Sequence, residues 1–149
     1  MKRSSSESEF QVVVPGDPRS LALVRSFVGH LALTAGFDDV EASKIEVAVD
    51  EACANIIEHA YSEMERKPPV TVQVLLSDDS FVVQIFDEGK SFDKANYRPP
   101  TFPAHWDEGN TRGVGVYLIY QCMDAVDFGK TSEERNQLRM VKKRPRSIA

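Results

Sequence analysis

The segment that decides the fold of this chain is Lys44-Ile-Glu-Val-Ala-Val-Asp-Glu-Ala-Cys-Ala-Asn-Ile-Ile-Glu-His-Ala-Tyr61. Its apolar residues recur at helical spacing and would form one buried stripe, which comprises Ile45, Ala48, Ala52, Ile56 and Ala60. Glu51 and Asn55 are four positions apart, so both side chains lie on one face, roughly 100° round the helix from the stripe. The segment therefore predicts a helix with two polar groups beside its buried face, where residues that line a cleft are found.

Strands and two further helices are predicted on either side of this helix. The strands fall near residues 10–14, 70–76, 81–87, 125–128 and 137–141, and the helices near 18–35, 38–60 and 113–123. Asp17 and Asp38 would cap the first two helices, and Gly36 would end the first one. This order predicts an α+β two-layer sandwich, in which the helices pack on one face of a mainly antiparallel mixed sheet.

Length and composition limit the classes of protein that fit. A chain of 149 residues fits one domain; we expect a disordered tail at 1–8, a single domain at 9–142 and a basic tail at 143–149. The formal net charge of −5 argues against direct nucleic-acid binding. The chain has no apolar run that would span a bilayer and no secretory signal, so we expect no membrane contact and a cytoplasmic location. Cys53 and Cys122 fall in apolar helical patterns and are expected as buried thiols.

Glu51 and Asn55 each allow two interpretations. A helical glutamate is most often a solvated carboxylate, but the apolar neighbours of Glu51 favour partial burial, which raises the pKa of a carboxyl and suits a general base. Asparagine is unfavourable in the middle of a helix, so its presence at position 55 indicates a structural or functional role. Its amide could bond a neighbouring strand, or its carbonyl oxygen could bind Mg²⁺, which prefers oxygen ligands.

Two glycine-bearing segments follow the helix. Asp87 ends an apolar strand and precedes Glu88 and Gly89, a combination that is ordinary in turns. The functional alternative is that Asp87 accepts a hydrogen bond from an exocyclic amine while Gly89 lets the backbone approach a base.

The second segment, Gly113-Val114-Gly115, opens a helix after residues 88–112, which lack periodicity and contain three prolines. Free N–H groups at a helix N-terminus bind anions, and a guanidinium such as that of Arg112 can clasp a phosphate. A pair of glycines alone is weak support for a phosphate site, and the combination with Arg112 strengthens it.

In this order, Glu-x-x-x-Asn (51, 55), Asp-x-Gly (87, 89) and Gly-x-Gly (113, 115) resemble the GHKL family of ATP-binding domains. Residues 50–61 and 87–93 look more narrowly like the bacterial anti-sigma factor serine-protein kinases. The resemblance covers roughly residues 10–142 and implies a Bergerat-type ATP-binding fold.

The resemblance also implies roles for individual residues. Glu51 would activate the attacking hydroxyl, Asn55 would coordinate Mg²⁺ on the phosphates, and Asp87 would hold the adenine amino group. The Gly113-Val114-Gly115 segment and a lid at 93–112 would cover the phosphates, with Arg112 near the terminal one. Two departures stand out: Ser91 replaces a common second glycine, and residues 132–137 lack the Gly-Thr pair that usually helps to hold adenine.

The function implied is that of a serine/threonine protein kinase with ATP and Mg²⁺ as cofactors. Such a kinase phosphorylates a serine of an anti-anti-sigma (STAS-type) protein and thereby controls sequestration of a sigma factor; the family also suggests a homodimer. Two other functions stay open. One is a non-catalytic module that regulates a protein partner with or without bound nucleotide, and the other is an ATPase that hydrolyses ATP without a protein acceptor.

Overall fold

A computed structural model describes residues 7–91 and 111–145, with side chains from Val114 onward in the second range. The elements are strand β1 (Ser8–Val14), helices α1 (Ser20–Thr34) and α2 (Asp39–Asn55), a π-helical turn (Ile56–Ala60), strands β2 (Val70–Leu76) and β3 (Ser80–Asp87), helix α3 (Thr111–Cys122), and strands β4 (Ala125–Lys130) and β5 (Asn136–Lys143). Every predicted strand and helix is present. The predicted tail at 1–8 lies mostly outside the described residues, although β1 already begins at Ser8.

The five strands form one sheet in the order β1-β2-β3-β5-β4. Each neighbouring pair in the described sheet is antiparallel, with Val74 opposite Val83 and Ile85 opposite Leu138. The α+β sandwich is therefore confirmed, and the sheet is wholly antiparallel where a mixed one had been allowed for.

The core lies between the helices and one face of the sheet. Alternate strand residues point into it and are fully buried, among them Val72, Val74, Phe81, Val83, Ile85 and Met140. From the helices come Val24, Val28, Ile45, Ala48 and Ala52. Burial of one such aliphatic side chain contributes about 1.5–3 kcal/mol of transfer free energy, so this interface holds the helices to the sheet.

The opposite face of the sheet carries a row of polar side chains. Gln73 donates a hydrogen bond to Glu9, Gln84 donates to Gln73 at 2.7 Å, and Gln137 donates to Gln84 at 2.7 Å. This row crosses four strands. Beside it on the same face lie the apolar side chains of Leu75, Val82 and Val141.

The helix ends agree in part with the predictions. Asp38 caps α2, since its side chain accepts the N–H of Glu41 at 2.8 Å, and Gly36 has a positive φ of 99° beyond the end of α1. Asp17 accepts the N–H of Arg19 at 2.9 Å, but α1 begins only at Ser20. The predicted cap therefore closes a turn that precedes the helix.

The π-helical turn directly after Asn55 was not predicted, because the periodic stripe continues to Ala60. Here the N–H of Tyr61 bonds the carbonyl of Ile56 at 2.9 Å, five residues back. The wider turn brings Tyr61 into the core, where its side chain is fully buried. Single π-helical turns are frequent at functional sites.

The C-terminal basic residues are more firmly held than a tail would be. Lys142 is buried, and its ammonium lies 2.7 Å from the carbonyl oxygen of Cys122 and 2.9 Å from a carboxylate oxygen of Glu41. Arg144 donates to the carbonyl of Ala35 at 2.9 and 3.1 Å and to that of Ser77 at 2.6 Å. Tertiary contacts therefore occupy the donors of Lys142 and Arg144, although Arg144 falls within the predicted basic tail.

Within the described ranges, each helix is too short or too polar to serve as a bilayer span.

We predict that Arg144→Ala lowers the free energy of unfolding by about 1–3 kcal/mol, because two partly buried carbonyls lose a charged donor. Urea unfolding followed by circular dichroism measures this. The matched control is Lys143→Ala, because the Lys143 side chain is exposed. The hydrogen bond from the backbone N–H of residue 143 to Asp124 is kept in this variant. The free energy of unfolding should therefore change by less than about 0.5 kcal/mol. Equal effects of the two changes would contradict the anchoring role of Arg144.

Candidate functional site

A cavity of about 230 Å³ lies between α2, α3 and the ends of β3, β4 and β5. Its apolar lining comprises Ala52, Ile56, Ile119, Phe128 and Leu138, and its polar lining includes Asn55, Asp87 and Asn136. A concave, mainly apolar surface with a few polar groups is typical of a small-molecule site.

Helix α3 lies close to α2 at Gly115. A Cβ atom on Gly115 would lie 2.7 Å from Oε2 of Glu51 and 3.9 Å from Oδ1 of Asn55. Only glycine permits this approach without displacing the carboxylate. The fold thus brings together the Glu-x-x-x-Asn pair and the second glycine of the Gly-x-Gly segment, which are sixty residues apart in sequence.

Glu51 is half-buried, and among the described residues no group donates a hydrogen bond to its carboxylate. Burial raises the pKa of Glu51 above its usual range, and the negative charges of Asp50 and Glu58 raise it further. Asp50 itself forms an ion pair with Arg25 of α1 at 2.8 Å. A carboxylate in these surroundings holds a proton more readily than an ordinary glutamate does, as a general base requires.

Asn55 is the last residue of α2, at the point where the π-helical turn begins. Its amide makes no hydrogen bond to any residue in 7–91 or 114–145, so bonding to a neighbouring strand does not account for it. The amide instead borders the cavity and stays available for a ligand.

Asp87 is only 6% exposed and makes the turn contact expected of it, while its role toward a ligand stays a prediction. Its Oδ1 accepts the N–H of Gly89 at 2.8 Å, a turn contact, and the amide of Asn136 at 2.9 Å. Its Oδ2 accepts no hydrogen bond from the described residues and is left for a ligand donor. Burial raises the pKa of Asp87, while the two hydrogen bonds and the charge of Arg135 oppose that rise.

Gly89 has a packing role that the sequence did not indicate. A Cβ atom there would lie 2.7 Å from the ring of Tyr61 and 2.8 Å from the Cβ of Ala60. On the other side, a Cβ on Gly16 would lie 2.8 Å from the same ring. The ring thus fills the space between two glycines, and its hydroxyl accepts the N–H of Glu88 at 3.3 Å.

The remaining predicted residues lie at the start of α3, which begins at Thr111. Arg112 and Gly113 fall in its first turn, but the Arg112 side chain and most of the 93–112 lid are outside the described part of the chain. Val114 is half-buried and Gly115 is buried. The Gly-x-Gly segment therefore occupies the first turns of a helix, where free N–H groups attract anions.

Sequence reasoning missed Asn136, whose amide bonds Asp87, and the π-helical turn. A polar residue at the first position of a strand, in the inward-facing register of Leu138 and Met140, was the available signal for Asn136. Its partner is 49 residues away in sequence, so only the fold reveals the contact.

Residues 14–142 match a family model described as a histidine kinase-like ATPase domain. A protein of Bacillus velezensis named serine-protein kinase RsbW is 35% identical over 135 residues, which cover 87% of this chain and 82% of that protein. Proteins of the same name from Bacillus subtilis and Staphylococcus aureus are 32% and 31% identical, over 85% and 86% of this chain and 79% and 83% of their own lengths.

We predict that Gly89→Ala destabilises the fold by about 1–3 kcal/mol, because the new methyl group overpacks the Tyr61 ring and Ala60. Thermal unfolding measures the loss. Gly129→Ala is the matched control, since Gly129 also borders the cavity but a Cβ there meets nothing within 4 Å. Equal unfolding temperatures of Gly89→Ala and Gly129→Ala would show that packing of the Tyr61 ring does not require glycine at position 89.

Proposed function

Because the chain belongs to the histidine kinase-like ATPase domain family, we propose that it is a serine-protein kinase that transfers the γ-phosphoryl group of ATP to a serine of a partner protein. The relatives named serine-protein kinase support transfer to serine as the reaction. The observation that carries the proposal is the close approach of Gly115 to Glu51 and Asn55, since a carboxylate suited to act as a base and an amide oxygen suited to bind Mg²⁺ lie beside the start of α3.

The base of ATP fits the apolar part of the cavity. Ile56, Ile119 and Leu138 offer surfaces for a flat ring. Oδ2 of Asp87, to which no described residue donates, would accept a hydrogen bond from the exocyclic amine of the base. Because this carboxylate is almost fully buried, the contact would favour a base that carries an amine. A nearly buried acceptor to which no residue in the described ranges donates supports a ligand donor at this place.

The phosphates would lie toward the start of α3. The N–H groups of its first turn and the guanidinium of Arg112 suit their charge. Asn55 would hold Mg²⁺ through its carbonyl oxygen; Mg²⁺ commonly takes one or two protein oxygens together with substrate phosphates and waters. When bound, the ion would neutralise charge on the phosphate oxygens.

Glu51 would act as the general base. Its carboxylate would take the proton from the serine hydroxyl as that oxygen forms a bond to the γ-phosphorus and the bond from phosphorus to the β,γ-bridging oxygen breaks. ADP then leaves with the negative charge of that oxygen. Because phosphoryl transfer depends mostly on position and charge, one base, one metal ligand and one arginine suffice.

The partners belong to the proposal as well. The acceptor would be an anti-anti-sigma protein of the STAS type, and the protein sequestered would be a sigma factor. A homodimer is compatible with this arrangement. The two other functions, a non-catalytic regulatory module and an ATPase, differ from the kinase in measurable products.

We predict that Glu51→Gln lowers phosphoryl transfer by about 10²–10⁴-fold, because the amide cannot take the hydroxyl proton. The affinity for ADP should change little, since the side chain keeps its size. The measurement is transfer from labelled ATP to the antagonist protein, with calorimetry for binding. Glu58→Gln, which removes a nearby exposed carboxylate, is the control and should keep transfer.

Three results would redirect this proposal. Transfer by Glu51→Gln at the wild-type rate would exclude Glu51 as the base. Phosphate release without any labelled acceptor would favour the ATPase. Binding of a sigma factor without either reaction would favour the non-catalytic module.

We predict that transfer falls at low pH with a midpoint above the usual range of a glutamate, because Glu51 must be deprotonated and its pKa is raised. Asp50→Asn removes the charge that has the larger effect of the two negative charges that raise this pKa. It should therefore move the acid limb to lower pH. Single-turnover rates across the pH range measure the shift, and an unmoved limb would mean that a different group titrates.

A further inference from the structure

Asn136 joins the two segments that form the base end of the cavity. It is the first residue of β5 and stands opposite Asp87, the last residue of β3. Its amide nitrogen donates to Oδ1 of Asp87 at 2.9 Å and to the carbonyl of Gly89 at 2.8 Å. Its amide oxygen accepts from the hydroxyl of Ser91 at 2.9 Å. Both N–H donors and the carbonyl of the side chain are therefore engaged, and the amide has one orientation.

This network decides which oxygen of Asp87 faces a ligand. Oδ1 receives two donors, from Asn136 and from the N–H of Gly89, whereas no described residue donates to Oδ2. Asp87 is almost fully buried and borders the cavity, so a partner for Oδ2 that the described residues do not supply would come from within the cavity. A carboxylate held in this way presents one bare acceptor. That acceptor favours an amine and repels a carbonyl oxygen at the same place.

We propose that Asn136 makes the cavity selective for a base with an exocyclic amine, by fixing the carboxylate of Asp87. Asn136 is a positioning residue, since its own donors are used within the protein and do not reach the ligand. This inference rests on the proposed ATP site. It also gives residues 132–137 a role in nucleotide recognition although they lack a Gly-Thr pair.

A purely structural role for Asn136 predicts a different outcome. If the amide only tied β5 to the end of β3, its loss would weaken all nucleotides equally. If it positions Asp87, its loss must weaken an amino-bearing base more than one that carries an oxygen instead. The ratio of the affinity for an amino-bearing base to the affinity for an oxygen-bearing base therefore separates a positioning role of Asn136 from a purely structural one. A change in overall stability affects both affinities alike and cancels from this ratio.

The experiment compares ADP with inosine diphosphate, in which a carbonyl oxygen replaces the amine, on the full chain with Mg²⁺ by titration calorimetry. Wild type should prefer ADP. In Asn136→Ala, ADP affinity should fall about tenfold, the loss expected for a hydrogen bond to a charged group, while inosine diphosphate affinity changes less than about twofold. An unchanged ratio in a variant that circular dichroism shows to be folded would overturn the inference.

Two further variants keep the test decisive. Gln84→Ala removes an amide with two hydrogen bonds from the opposite face of the same sheet and should leave the ratio unchanged. If Asn136→Ala does not fold, Asn136→Leu fills a similar volume without polar atoms and is judged by the same ratio. Wild type that binds neither nucleotide overturns the proposed function and this inference together, whereas wild type that prefers ADP with an unchanged ratio in the variant overturns this inference alone.

Discussion

The close approach of α3 to α2 at Gly115 is the constraint on which the site depends. It removes any space for a side chain at that position and places the first turns of α3 beside Glu51 and Asn55. The same approach takes Glu51 partly out of water, which raises its pKa. One packing contact therefore brings the Glu51 carboxylate, the Asn55 amide and the first turns of α3 together, and the burial of Glu51 there raises the proton affinity of its carboxylate.

The end of the cavity at Asp87 depends on a second contact, between the Tyr61 ring and the glycines on its two sides. The π-helical turn that follows Asn55 brings this ring into the core, where its hydroxyl accepts the N–H of Glu88. Glu51, Asn55 and Tyr61 all come from one continuous segment. A single helix and its terminal turn therefore fix the position of Glu51 and Asn55 relative to the Tyr61 ring.

Sequence periodicity was sufficient for the architecture, because apolar spacing alone distinguishes the α2 stripe from the alternating β2–β3 hairpin. Local chemistry was sufficient for the Asp38 cap and the Gly36 stop. What the sequence did not reveal depends on distant contacts. Lys142 and Arg144 are held by carbonyls and a carboxylate from other parts of the chain, and Asn136 meets Asp87 only after the sheet forms. The π-helical turn is set by where Tyr61 packs, which no local pattern indicates.

The strongest physical sign of a ligand is the set of polar groups that the described fold leaves without partners. Native proteins bond nearly all buried polar groups, and an unsatisfied one costs about 1–3 kcal/mol. Glu51 and Asn55 are partly exposed, so water satisfies them in part, and the cost falls mainly on Oδ2 of Asp87. Asn136 has donors that satisfy Oδ1 but not Oδ2. Within the described residues the fold fixes one oxygen of this carboxylate and leaves the other without a donor, an arrangement that lowers stability unless a partner in the cavity supplies the missing hydrogen bond.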